Sequence, residues 1–228
     1  CGEVVSEPYT INVYPIIQAG TISGTTPICY NTNTSLSFLS IPQGGGDTYT
    51  YQWQQSDDEI TWNNISMANG VTYTTSELID TTNYRLIVTS TLGCSKDTSN
   101  IVQIAVLRPF VAGTISHDTT ICYSTSPGVL TMNTDADGGM RPYTYQWKMS
   151  TNGDSWINVG NASTSIYQVP DLTMSTYYRL EQVSSMGCGS VKTNIVSIDV
   201  LPNTHAATIA AATITTICYG SVPTNVYV

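Results

Sequence analysis

Charge is what this sequence most lacks. Only 10% of its 228 residues are Asp, Glu, Lys or Arg, and seven basic side chains stand against sixteen acidic ones, a net charge of −9. So few cations cannot build a basic face for phosphates, which excludes nucleic acid as a partner. An anionic membrane surface would repel the chain as well. No apolar run approaches the ~20 residues that a spanning helix needs, so no membrane span is expected in this segment. Histidine occurs twice, as His117 and His205, and no two cysteines have the close C-x-x-C spacing of a zinc site. No cofactor is implied. Helical periodicity with caps is missing throughout. Phenylalanine occurs only twice, so the aromatic content rests on 15 Tyr and 4 Trp.

In place of charge the chain carries Thr, Ser, Asn and Gln, a composition typical of secreted β-proteins and poor for helices, because β-branched residues favour strands. The chain opens on Cys1 rather than on a start methionine or signal peptide and is read as an excerpt of something longer. It is organised around Tyr49-Thr50-Tyr51-Gln52-Trp53, which returns letter for letter as Tyr143-Thr144-Tyr145-Gln146-Trp147, 94 positions on (147 − 53). Alternation puts Tyr49, Tyr51 and Trp53, and in the second copy Tyr143, Tyr145 and Trp147, on one face of a strand, with Tyr51, Trp53, Tyr145 and Trp147 expected in the core. Tyr84 and Tyr178, also 94 apart (178 − 84), occupy the corner-tyrosine position and complete the expected core.

A repeat this long is a whole domain rather than a solenoid turn. Residues 16–109 and 110–202 are read as two complete repeats, residues 1–15 as the last strand of a preceding one, and residues 203–228 as the start of the next. Each full repeat offers about seven short strands separated by Gly, Asn, Asp and Ser turns. That pattern predicts an all-β protein of tandem Ig-like antiparallel β-sandwiches, joined end to end by linkers as short as Arg108-Pro109.

Thr120-Ile121-Cys122-Tyr123, then Tyr143 to Trp147, then Tyr177-Tyr178-Arg179-Leu180, then Gly187-Cys188 together resemble the Ig-like repeats of Bacteroidota surface proteins. They are most similar to the repeats of giant gliding-motility adhesins of the SprB type. The resemblance covers the whole chain. It implies a very long protein exported by type IX secretion and displayed as a cell-surface filament. The chain departs from antibody domains in placing Leu86 and Leu180 where those have a cysteine two residues after the corner tyrosine.

The six cysteines lie at positions 1, 29, 94, 122, 188 and 218, and disulfides in an oxidising compartment are their natural reading. Two schemes respect the period. One pairs Cys29 with Cys94 and Cys122 with Cys188, leaving Cys1 and Cys218 to pair outside the segment. The other joins neighbouring units as Cys1–Cys29, Cys94–Cys122 and Cys188–Cys218. The first is favoured, because Cys94 starts a strand that runs away from the next domain, beyond the Cα separation of ~4.4–6.8 Å that a disulfide allows. Each bond would close a loop of about 65 residues, worth roughly 4 kcal/mol on the chain-entropy view.

Nothing in the chain forms a catalytic constellation: neither histidine repeats, and Asp57-Asp58-Glu59 has no matching second copy. An enzyme is not expected. Asp135-Ala136-Asp137-Gly138 is a weak calcium candidate, since turn chemistry explains the same residues. Trp62 and Trp156 either pack across their hairpins or form glycan platforms. The expectation is a structural and adhesive repeat segment of a long extracellular, cell-surface filament. Its partners would be neighbouring repeats, and other copies in a fibre. The alternative is a carbohydrate-binding module.

Overall fold

The computed structural model describes residues 1–204 and Tyr219. The expected start of a further repeat at 203–228, with His205 and Cys218, lies outside the described residues except for Asn203, Thr204 and Tyr219.

Two β-sandwiches follow one another. The first contains β1 (Thr21–Gly24), β2 (Ser35–Ser40), β3 (Tyr49–Ser56), β4 (Asn63–Asn64), β5 (Thr72–Thr74), β6 (Thr82–Ser90), β7 (Lys96–Thr98) and β8 (Val102–Ile104). One sheet runs β1-β2-β5. The other runs β4-β3-β6-β7, with β8 also on β6. Ladders are antiparallel, but Ile28 bridges Val106 in parallel. The first edge of the chain therefore begins in one sheet and crosses to the other, as in immunoglobulin sandwiches.

The second sandwich repeats this with β9 (Thr114–Ser116), β10 (Thr119–Ile121), β11 (Val129–Thr134), β12 (Met140–Ser150), β13 (Ile157–Asn158), β14 (Ile166–Gln168), β15 (Thr176–Ser185), β16 (Ser190–Lys192) and β17 (Val196–Val200). Its sheets run β14-β11-β9 and β10-β17-β15-β12-β13, with β16 on β15. The crossing edge is now a full strand, β10 parallel to β17. Among the described residues no helix is long and apolar enough to cross a membrane.

The doubled pentapeptide centres each core. Trp53 and Trp147 have no exposed surface. Their indole N–H groups donate to Gly70 O at 2.9 Å and Thr164 O at 3.0 Å, so a large apolar ring is buried with its one polar atom satisfied. Gln52 Nε2 donates to Trp53 O and Ile65 O, and Gln146 Nε2 does the same with Trp147 O and Val159 O. Each glutamine ties its central strand to the hairpin that follows. Tyr73 lies between Trp53 (5.9 Å) and Tyr84 (6.1 Å), and Tyr167 lies between Trp147 and Tyr178 in the same way. Tyr84 and Tyr178 are buried, whereas Tyr51 and Tyr145 are half-buried at the core margin.

Residues 1–15 form no strand and are exposed, unlike the last strand expected there. A strand needs a ladder partner, and the equivalent segments β8 and β17 find theirs in β6 and β15 of their own sandwich.

Candidate functional site

The chemistry of this molecule concentrates at the joint between the sandwiches. At the outgoing end of the first, Ile28 N donates to Ala105 O and Leu107 N to Ile28 O, both at 2.9 Å. These bonds hold Cys29 beside the strand that leaves. The second sandwich receives the chain on a glycine loop. Gly139 N donates to Arg108 O at 2.9 Å, and Val111 and Asp137 exchange both backbone hydrogen bonds. Gly138 has φ 73°, and a Cβ there would collide with the Pro109 carbonyl, so only glycine admits this approach.

Phe110 packs its ring 5.1 Å from that of Tyr143, whose hydroxyl donates to Gly138 O at 2.6 Å. The Arg141 guanidinium sits 4.7 Å over the same tyrosine. Phe110 is half-buried and leans on its own sandwich. Arg108 meets both carboxylate oxygens of Asp137 at 2.7 Å, but at 75% and 62% exposure this pair contributes little stability.

Ser184 Oγ accepts from Met140 N at 2.8 Å, which places the end of β15 at the receiving face. The turn after β15 carries Cys188 there too. Cys188 is disulfide-bonded to Cys29 of the first sandwich, with a Cα–Cα separation of 5.3 Å. The bond crosses the joint.

This corrects the expected pairing. Neither Cys29–Cys94 nor Cys122–Cys188 forms, and Cys94, Cys122 and Cys1 are free. The reason is the length of the final strand. Cys94 precedes β7 and Cys29 lies beside Val106, so about ten residues of extended chain, roughly 30 Å, separate the two ends of one sandwich. Cys29, at the outgoing end of its sandwich, meets instead Cys188 at the incoming end of the next.

The other candidates are held by their own neighbours. Trp62 and Trp156 are half-buried, each with an arginine stacked on one ring face: Arg85 and Arg179, both 4.0 Å from the centroid. Their N–H groups donate to Glu59 O and Gly153 O at 3.0 Å. Each ring is thus stacked on an arginine of the strand that follows in the sheet, β6 or β15. Arg85 Nε donates to Gln54 Oε1 at 2.7 Å. In the second repeat Lys148 replaces that glutamine and pairs with Glu181 at 2.8 Å, a bond that draws the Glu181 carboxyl below its ordinary range. Arg179 Nε is left buried without a partner.

Asp58 accepts from Thr61 N and Ile60 N, and these bonds, with one from Ser56, lower its pKa to about 2. It caps its own turn rather than pairing with another carboxyl. Asp137 spends both oxygens on Arg108, and among the described residues no group of three or more His, Cys, Asp or Glu side chains could hold a metal. Asp135 is exposed.

Two residues at the repeat period escaped the sequence reading. Asn100 Oδ1 accepts from Ile22 N at 2.7 Å while its amide donates to Ile22 O at 3.1 Å. Asn194 does the same for Ile115, at 2.9 and 2.8 Å. Each asparagine acts as a substitute ladder rung, bonding the first strand of its repeat to the opposite sheet. The available signal was Ser99-Asn100 recurring as Thr193-Asn194 at the 94-residue interval (194 − 100).

No curated protein matches the chain. Among solved structures it is similar to the three N-terminal domains of the highly immunogenic outer capsid protein (Hoc) of bacteriophage RB49. That match has 12% identity and a TM-score of 0.47 and covers 80% of this chain and 70% of that one. It is also similar to extracellular domains 3–5 of Drosophila OTK, with 16% identity, a TM-score of 0.41 and coverage of 79% and 62%. A further likeness is to a run of domains from titin, with 15% identity, a TM-score of 0.43 and coverage of 82% and 67%. Residues 18–108 and 111–202 each match the family described as "Domain of unknown function (DUF8696)", and the chain, carrying two consecutive copies, belongs to that family.

Proposed function

We propose that this chain is a structural and adhesive repeat segment of a long extracellular surface filament, of the kind its resemblance to gliding-motility adhesins implies. In this reading 16–109 and 110–202 are the repeating units, while 1–15 and 203–228 belong to neighbouring ones. The observation that carries it is the disulfide across the joint. A covalent staple between successive domains has little use in a freely hinged binding module. In a fibre that must hold its line under load it removes a degree of freedom at every joint. The short linker and the glycine loop that grips Arg108 and Pro109 act in the same direction. A disulfide also suits an oxidising, extracellular setting. The role is non-enzymatic. The carbohydrate-binding alternative has less behind it, because arginine already occupies one face of each candidate tryptophan.

Small-angle scattering tests this. With the bond intact, residues 16–202 should scatter as a straight rod of about 80 Å, from roughly 40 Å per sandwich. Cys188→Ser should loosen the joint and broaden the distribution of lengths while both sandwiches stay folded. A freely hinged pair with the disulfide intact would contradict the proposal.

A further inference from the structure

Cys94 and Cys122 occupy the same places in their repeats as the two bonded cysteines. Cys122 matches Cys29. Thr32 Oγ1 donates to Cys29 O and Thr125 Oγ1 to Cys122 O, both at 2.7 Å. Asn31 N donates to Leu78 O and Ser124 N to Leu172 O, both at 2.8 Å, and Leu201 N reaches Ile121 O at 2.9 Å as Leu107 N reaches Ile28 O. Even the left-handed residue is kept: Asn31 and Ser124 both have φ 58°.

Cys94 matches Cys188. Ser90 N donates to Ser95 O and Ser184 N to Gly189 O, both at 3.1 Å, around turns in which Gly93 and Gly187 have φ 77° and 71°. The receiving face around Cys94 is already built. Gly45 N donates to Pro15 O at 2.9 Å, as Gly139 N does to Arg108 O, and Gln18 and Gln43 exchange both backbone bonds, as Val111 and Asp137 do. Tyr49 donates to Gly44 O at 2.6 Å, as Tyr143 does to Gly138 O. The incoming segment at Pro15 to Gln18 is thus docked as if a sandwich preceded it. Cys122 is exposed and Cys94 partly so.

We propose that Cys94 and Cys122 are the open halves of two more such bonds: Cys94 takes the Cys29-type cysteine of a preceding repeat and Cys122 takes the Cys188-type cysteine of a following one. The fibre is then a disulfide ladder in which every repeat is stapled to both neighbours, outgoing end to incoming end. This rests on the reading of the chain as a run of repeats. Each bond forms by two exchanges with a disulfide oxidant of the glutathione or protein type. One cysteine thiolate attacks the oxidant and releases one thiol. The second thiolate then attacks the mixed disulfide and releases the other. Two protein thiols are oxidised and the oxidant is reduced to two thiols.

The contact is heterologous, so separate chains present complementary ends. The test uses the full chain with Cys1→Ser and Cys218→Ser, made in two forms, one also Cys94→Ser and the other also Cys122→Ser. The forms are mixed in a glutathione redox buffer and their disulfide dimers are mapped. Random pairing gives the mixed dimer as half of all dimers. The ladder predicts that Cys122–Cys94 dimers exceed the two like-paired dimers together at least tenfold, with Cys29–Cys188 retained in each chain. A statistical mixture, a like-paired majority or no dimer overturns the ladder. The rod measurement on the single chain is independent of that result and fails separately.

Discussion

Cys29 and Cys188 lie 159 positions apart in sequence and are bonded across the joint, so the shortest covalent path through the two repeats bypasses nearly all of both. Tension entering at Ile16 passes to Cys29, crosses to Cys188 and leaves at Pro202. Residues 30–187 are out of the load path.

Single-molecule pulling from positions 16 and 202 should therefore give a short extension. Only about 27 residues can be drawn out of the oxidised protein, less than ~100 Å at 3.3–3.6 Å per residue. After reduction two unfolding events of roughly 280 Å each should appear, from ~92 residues per repeat less a folded span of ~40 Å. Two long events from the oxidised protein would show that the staple does not carry the load.

Trp147→Ala should destabilise the second sandwich by about 3–5 kcal/mol, the range for deleting a large buried aromatic, and it also strands the Thr164 carbonyl that the indole satisfied. Urea denaturation followed by circular dichroism checks this. A cost under ~1 kcal/mol would mean that the ring is not the centre of its core.

Asn194→Ala removes both bonds to the Ile115 backbone, leaving a part-buried N–H and C=O unpaired. The expected loss is about 1–3 kcal/mol, read as a lower urea midpoint at unchanged slope. An unchanged midpoint would remove asparagine from the account of how the first strand is held.

Burial pushes the Tyr84 and Tyr178 phenols up to about 12 from an ordinary 10.0. The fold favours the neutral phenol, so this contribution to stability is complete below pH 10.0 and is lost as pH rises toward 12. Alkaline titration of phenolate absorbance should show a late phase that coincides with unfolding. Ionisation of all tyrosines near their ordinary value with the fold intact would contradict the burial argument.

The architecture was legible because its signals are local and repeated. The pentapeptide sets the inner face, and the return of each motif after 94 positions (147 − 53) defines the domain. The cysteine pairing was not legible, for a reason inherent in repeats: shifting one partner by a whole unit preserves every spacing. Connectivity depends instead on which end of a sandwich each cysteine occupies, and that follows only once Ile28 is placed beside Val106 rather than near β7. The stacking of Arg85 on Trp62 was missed similarly, because it depends on cross-strand neighbours and not on sequence distance.

The staple itself is the most direct thing to measure. Proteolysis of the protein under non-reducing conditions, with free thiols blocked beforehand, followed by mass spectrometry, should recover a peptide containing Cys29 linked to one containing Cys188, with Cys94 and Cys122 of unoligomerised chains carrying the blocking group. Recovery of Cys29 linked to Cys94 and of Cys122 linked to Cys188 would contradict the account, because each sandwich would then be closed on itself and the joint left without its covalent bond.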